Sequence, residues 1–311
     1  MAAVSIAMRK ADDERKDDQP LILVGYSNGG LLAIRYALDC RAAKDRPCPD
    51  GLLLISPAID VTPFARLGRW HNALSWMSYF EQFQWESIGP EIDPYKFTSF
   101  PKNPGLELFQ AAQAIHTGLV SKAGELPPIL AFQSLVDDTV STTAVIDLFR
   151  ALPENGSELV IYDVNRNDRV VGLMSDPPID LLPAIQAVQP LPFSVTVVTN
   201  VSDNSQVIHA AEFATSSDSP VLTALNLSWP QNVFSLSHIA LPFEPGDPIY
   251  GLTVTQEFPN IGAAAPRGER KVLSLTPNYF ARLRHNPFYP YQQERIGRWL
   301  QRWLPDQAHS P

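Results

Sequence analysis

An apolar run of strand length, Leu21-Ile-Leu-Val24, breaks at Gly25-Tyr-Ser27-Asn-Gly29-Gly30 and gives way at once to Leu31-Leu-Ala-Ile-Arg-Tyr-Ala-Leu38, a run with helical patterning. A strand that becomes a helix within so few residues must make a tight, strained turn, with Ser27 at its tip. Glycines at 25 and 29 suit the close approach of strand and helix expected on either side of that tip. A serine held in this way presents its hydroxyl as a nucleophile. The helix N-terminus behind it offers unpaired backbone N–H groups, that of Asn28 first, to a developing oxyanion. The Gly-x-Ser-x-Gly spacing alone recurs by chance; the flanking strand and helix patterns give it meaning here.

A nucleophilic serine needs a base, and the base needs a group to orient it. The stretch Pro127-Pro-Ile-Leu-Ala-Phe-Gln-Ser-Leu-Val-Asp137-Asp138-Thr-Val140 reads as an apolar strand ending in a turn with two adjacent aspartates, ahead of a helix over 142–152. Asp137 is the better-spaced acid, because Val140 can pack back beneath the turn, and Asp138 is the alternative. A strand-end aspartate also caps a helix, and the two roles are compatible.

Of six histidines, His238 follows the acid in sequence and lies in a loop-like setting, Phe234-Ser-Leu-Ser-His238, after a strand-like segment. His209 is its rival, although Gln206-Val-Ile-His209-Ala reads as the interior of an element. His71 precedes the acid in an aromatic region, His285 sits among Arg282, Arg284 and Asn286 as in a surface or C-terminal loop, and His309 belongs to a polar tail. No metal-ligand spacing, P-loop or dinucleotide fingerprint occurs, so the sequence calls for no metal and no cofactor.

With these residues in view, the chain resembles the serine hydrolases of the α/β-hydrolase superfamily, in the branch that groups monoglyceride-lipase-like esterases with serine-aminopeptidase-like hydrolases. The resemblance is carried by Leu21-Ile-Leu-Val-Gly-Tyr-Ser-Asn-Gly-Gly30, Leu52-Leu-Leu-Ile-Ser-Pro-Ala-Ile59, Val136-Asp-Asp-Thr-Val140 and Phe234-Ser-Leu-Ser-His238. It implies an α/β fold with a mostly parallel sheet and flanking helices. It implies Ser27 as nucleophile, Asp137 as orienting acid, His238 as general base and the Asn28 amide as oxyanion donor. The activity implied is hydrolysis of a small-molecule carboxylic ester or related acyl substrate through an acyl-enzyme. A serine-aminopeptidase-like amidase and a thioesterase use the same machinery, and a non-catalytic or inactive α/β-hydrolase fragment is a further reading.

The chain departs from the family pattern in two places. In this superfamily several strands precede the nucleophile strand, whereas here only Met1 to Gln19, read as a charged amphipathic helix, come before it. The expectation is an N-terminally shortened hydrolase in which the Leu21–Val24 strand becomes an open edge. The acid and base are also unusually far apart in sequence. After a helix and the strand Glu158-Leu-Val-Ile-Tyr-Asp-Val164, residues 165–228 read as an insertion with a strand or two of its own, including Phe193-Ser-Val-Thr-Val-Val-Thr199. The insertion would either pack on the sheet edge or shape the pocket mouth.

The expected organisation is one domain over 1–311: an elbow half (1–61), a lid or cap (62–125), the acid strand, helix and next strand (126–164), the insertion (165–228), and the histidine loop with a C-terminal helix (229–311). The cap segment is crowded with Phe64, Trp70, Trp76, Tyr79, Phe80, Phe83 and further aromatics, suited to core packing or to lining an apolar pocket. Ile296, Trp299, Leu300 and Trp303 form one stripe of a final helix that docks on the sheet.

At 311 residues with 45% hydrophobic content, the chain is long enough for one such domain with a large core. A net charge of −9 leaves no basic surplus to neutralise phosphates, which argues against nucleic-acid binding. No apolar run is long enough to span a bilayer. Met1-Ala-Ala-Val-Ser-Ile-Ala-Met8 is too short for a signal peptide and lacks its basic start. Cys40 and Cys48 flank one loop and read equally as a disulfide or as two thiols. The compartment therefore stays open, with the cytoplasm as default and export if a leader lies upstream.

Overall fold

The structure is a computed structural model that describes residues 1–16, 19–42, 46–60, 85–87, 93–94, 100–137, 140–168, 178–215, 217–253, 265–266 and 281–304. The aromatic run from Phe64 to Phe83 lies outside these residues, as do His71, Asp138 and His309.

Seven strands form the main sheet: β1 (Ile22–Tyr26), β2 (Gly51–Ile55), β3 (Ile129–Ser134), β4 (Glu158–Tyr162), β5 (Ser194–Asn200), β6 (Val207–Phe213) and β7 (Val221–Ser228). They lie side by side in chain order. The pairs from β1 to β5 are parallel, and β6 and β7 add on antiparallel. The helices are α1 (Ala2–Glu14), α2 (Asn28–Cys40), α3 (Lys102–Lys122), α4 (Thr142–Ala151), α5 (Leu181–Gln186) and α6 (Tyr289–Leu300). This is an α/β fold with a mostly parallel mixed sheet and flanking helices.

The strand order decides which helix covers which face. Parallel crossovers are right-handed, so strands laid down in one direction send all their crossover helices to the same face. Leu31 and Ile34 of α2, Ala112 and Ile115 of α3, Val145, Leu148 and Phe149 of α4, and Leu181 and Ile185 of α5 accordingly share one core cluster. That cluster takes in Leu52 and Leu54 of β2, while the alternate residues Leu53 and Ile55 face a second cluster on the other side. The second face is covered by residues late in the chain: Trp229, Val233, Leu236 and Leu241 from the loop after β7, and Phe288, Tyr291 and Trp299 from the last helix region. Within the expected cap segment, Ala112 and Ile115 of α3 are buried in the same core cluster as Leu31 and Ile34 of α2.

The region 165–228 supplies three strands, and they extend the sheet at the end away from β1. At the β1 edge Val24 is 58% exposed. The chain enters β1 through a bond from the Leu21 N–H to the Asp50 carboxylate at 2.7 Å. Cys40 and Cys48 are joined by a disulfide that closes the loop from α2 to β2. The final helix docks as its stripe predicts, with Trp299 buried and Ile296, Leu300 and Trp303 half-buried against the second core. Gly51 makes room for it, since a Cβ there would lie 2.8 Å from both the Trp299 and Trp303 rings. No helix among the described residues is long and apolar enough to cross a membrane.

The same helix is tied to the sheet by charge. Arg295, nearly buried, binds Glu212 of β6 through both terminal nitrogens at 2.7 and 3.0 Å, and Glu158 of β4 through Nε at 2.9 Å. The Arg295 bond holds the Glu212 carboxyl below its ordinary value, against the opposing effect of burial. A depressed carboxyl contributes stability that is present above its unfolded pKa and lost as pH falls through the folded value. Thermal unfolding of Glu212→Gln should therefore show a lower midpoint at neutral pH and a shallower decline than the parent below about pH 4.5. Parallel curves for the two proteins below that pH would show that this ion pair contributes nothing.

Candidate active site

Ser27 follows β1 directly and adopts φ 50° and ψ −117°, a combination that costs a non-glycine residue roughly 1–3 kcal/mol. Backbone bonds hold it there. Its N–H donates to the Ile55 carbonyl at 3.0 Å, and its carbonyl accepts from Gly30 N–H at 3.0 Å, Leu31 N–H at 3.3 Å and Ala58 N–H at 3.0 Å. Helix α2 begins at Asn28, whose N–H is the first of the helix and has no intrahelical acceptor.

Two glycines create the space. A Cβ on Gly25 would lie 2.6 Å from Gly29 O and from Gly30 Cα. The second close approach was expected at Gly29, but a Cβ there meets nothing within 4 Å. Gly30 is the residue that needs to be small, because its Cβ would lie 2.6 Å from the Pro57 ring. The motif spacing points to the wrong glycine since the helix turns Gly29 outward and Gly30 toward the end of β2.

Asp137 sits in the turn after β3, with its side chain fully buried and its Oδ1 accepting the Val140 N–H at 3.2 Å. Val140 packs beneath the turn as its spacing predicts, 1% exposed. His238, in the loop after β7, brings Nδ1 to 3.5 Å from Asp137 Oδ1. That separation is longer than a tight N–H···O bond but within reach of a charge. The His238 ring also stacks with Tyr26, the residue before Ser27, with centroids 6.5 Å apart and planes inclined by 24°. The ends of β1 and β3 and the histidine loop therefore meet in one place.

No sequence-family model and no curated protein matches the chain. Solved structures similar in fold include a monoacylglycerol lipase from Paleococcus ferrophilus, 18% identical over 52% of this chain and 62% of that one, with TM-score 0.36. A second is a metagenome-derived lipolytic enzyme, 15% identical over 52% and 60%, with TM-score 0.36. A third is a soluble variant of monoglyceride lipase from Saccharomyces cerevisiae, solved with a substrate analogue, 13% identical over 52% and 60%, with TM-score 0.37. The chain resembles α/β-hydrolase lipases and esterases in structure over about half its length. The match spans less than two thirds of each of those three structures.

The other described histidines of the sequence analysis lie elsewhere. His209 is inside β6, opposite Thr199, and burial pushes its pKa down. His285 lies in the loop before the last helix, one of the two settings its neighbours suggested, but not at the surface. It is 3% exposed, and burial again lowers its pKa, partly opposed by a bond to the Tyr250 backbone. Among the described residues no three His, Cys, Asp or Glu side chains gather as metal ligands do.

Three neighbours of the site went unread in the sequence. Tyr26 has its hydroxyl pKa pushed up by burial and then by the negative charges of Asp137 and Asp93. Tyr250, 1% exposed, donates to Asp93 at 2.5 Å and stacks on Phe243. Ser56 directly follows β2, with φ 43°, and is fully buried. Tyr26 carries a sequence signal in its place next to Ser27, and Ser56 falls within the Leu52–Ile59 stretch; Tyr250 carries none.

The elbow geometry makes the two motif glycines unequal. Gly25→Ala should cost about 1–3 kcal/mol by forcing strand and helix apart. Gly29→Ala should be neutral or stabilising by up to about 1 kcal/mol, through lost unfolded-state freedom. Denaturant unfolding of both variants checks this, and equal losses would contradict the assignment of Gly25 and Gly30 as the tight positions.

Proposed function

We propose that the chain is a serine hydrolase of carboxylic esters, with Ser27, His238 and Asp137 as a catalytic triad. The observation that carries this reading is the convergence of the Asp137–His238 pair on Tyr26, at the foot of a strained Ser27. Since His238 Nδ1 faces Asp137, its Nε2 is the nitrogen left to take the Ser27 proton. Ser27 Oγ attacks the ester carbonyl as that proton moves, and the oxyanion forms at the Asn28 N–H. Collapse breaks the ester bond, and His238 returns the proton to the departing alcohol. Water then attacks the acyl-serine, giving its proton to His238, and the acid leaves as Ser27 is reprotonated. Asp137 stabilises the imidazolium in both halves. The segment 62–125 is read as the cap, with α3 as the part that anchors it to α2.

A second reading, a non-catalytic relative, is favoured by the 3.5 Å separation of Asp137 and His238. Intact-mass labelling with a fluorophosphonate separates the two. One adduct is expected on the parent and none on Ser27→Ala. His238→Gln should label roughly 10²–10⁴ times more slowly, the usual worth of a general base. A folded parent without adduct, or an adduct that persists on Ser27→Ala, would remove the triad assignment. If labelling succeeds, turnover of short and long acyl esters against amide and thioester analogues sets the substrate class.

A further inference from the structure

His238 lies in a stretch, 229–243, that contains tight turns but no helix and no extended strand. It is nonetheless buried around the histidine: Val233, Phe234, Ser235, Leu236, Ser237, Ala240 and Leu241 are all below 5% exposure. Buried carbonyls in an irregular segment need donors. Those of Ser237 and Ala240 find them inside the stretch, in the Ala240 and Phe243 N–H groups at 3.0 and 3.2 Å, and others draw on residues outside it. On the upstream side those donors come from Asn165. Its backbone N–H binds the Phe234 carbonyl at 2.7 Å and its Nδ2 binds the Val233 carbonyl at 3.1 Å. On the downstream side Gln292 Nε2 binds the Leu241 carbonyl at 3.0 Å, and the Asn286 N–H binds the Phe243 carbonyl at 2.7 Å. The histidine turn is thus gripped four to five residues before His238 and three to five after it.

Both grips are mounted on the end of β4. Asn165 follows that strand, is 1% exposed, and has its Oδ1 held by Asn200 Nδ2 at 3.2 Å, at the end of β5. Gln292 is likewise 1% exposed, and its Oε1 accepts from the Tyr162 hydroxyl at 3.1 Å, in the last residue of β4. Asn286 Nδ2 donates to the same Gln292 oxygen at 3.1 Å. Neutral amides suit this task, because they give directional bonds without adding a charge beside the Asp137–His238 pair.

We propose that Asn165 and Gln292 are positioning residues that set the distance and angle of His238 against Asp137 and Ser27. The proposal rests on the reading of His238 as general base. Neither residue touches the reacting atoms; each acts by fixing the loop that delivers the imidazole.

The test uses the full chain, with Asn165→Ala and Gln292→Ala made in the parent and in His238→Gln. Each is expected to slow fluorophosphonate labelling of Ser27 by roughly 10–100-fold, the scale of a misplaced catalytic group. Neither should slow it further in His238→Gln, because residues acting as one unit are not additive. Equal slowing in both backgrounds, or none in a folded variant, would overturn the proposal. Imidazole nitrogen spectra, with the His238 signals assigned by their loss in His238→Gln, give a readout that does not need activity. Those signals should shift and broaden in both alanine variants. If the parent is not labelled at all, the triad reading fails, and unchanged His238 signals would then sink the clamp separately. Should an alanine variant lose the native circular dichroism, Asn165→Ser or Gln292→Asn is measured in its place.

Discussion

The handedness of parallel crossovers organises most of this molecule. Five parallel strands are added in chain order, so α2 to α5 pile onto one face of the sheet and build the larger core there. The opposite face, already committed to Leu53, Ile55, Leu130, Phe132 and Val160, has to wait for cover from residues that come after β7. That cover is the histidine loop and α6. Delivery of His238 to the end of the sheet is therefore tied to completion of the second core.

The site itself is a set of strand ends. Ser27 follows β1, Ser56 follows β2 and Asp137 follows β3, all at the C-terminal edge of the parallel strands, where open α/β sheets place their ligands. The strain at Ser27 persists because four backbone bonds and two glycine contacts over-determine the turn. The histidine reaches the same edge by a different route. It comes from an irregular loop that amide side chains secure, after four further strands, β4 to β7, have been added on the far side of β3.

Much of this was legible in the residues. The strand–Ser27–helix turn, the strand ending at Asp137, the role of Val140 beneath it and the docking stripe of the last helix all depend on local patterning, and each appears where the pattern puts it. His209 also read correctly as the interior of an element, from the apolar residues on both sides. The errors came where a neighbour remote in sequence decides the outcome. Gly30 rather than Gly29 is the tight residue because Pro57 stands opposite it. His285 is buried despite its charged neighbours because the backbone around Phe243 and Tyr250 folds over it.

By itself the sequence determined the α/β pattern, the strained serine turn and the acid-bearing turn, since each is set by side-chain size, periodicity and backbone freedom over a few residues. Tertiary structure alone decided how closely His238 approaches Asp137, which face of the sheet each helix covers, and which buried amides hold the connecting loop. Those outcomes depend on distances between segments a hundred residues apart, roughly the span from Asp137 to His238, and such distances exist only once the sheet order and its crossover handedness have brought the segments together.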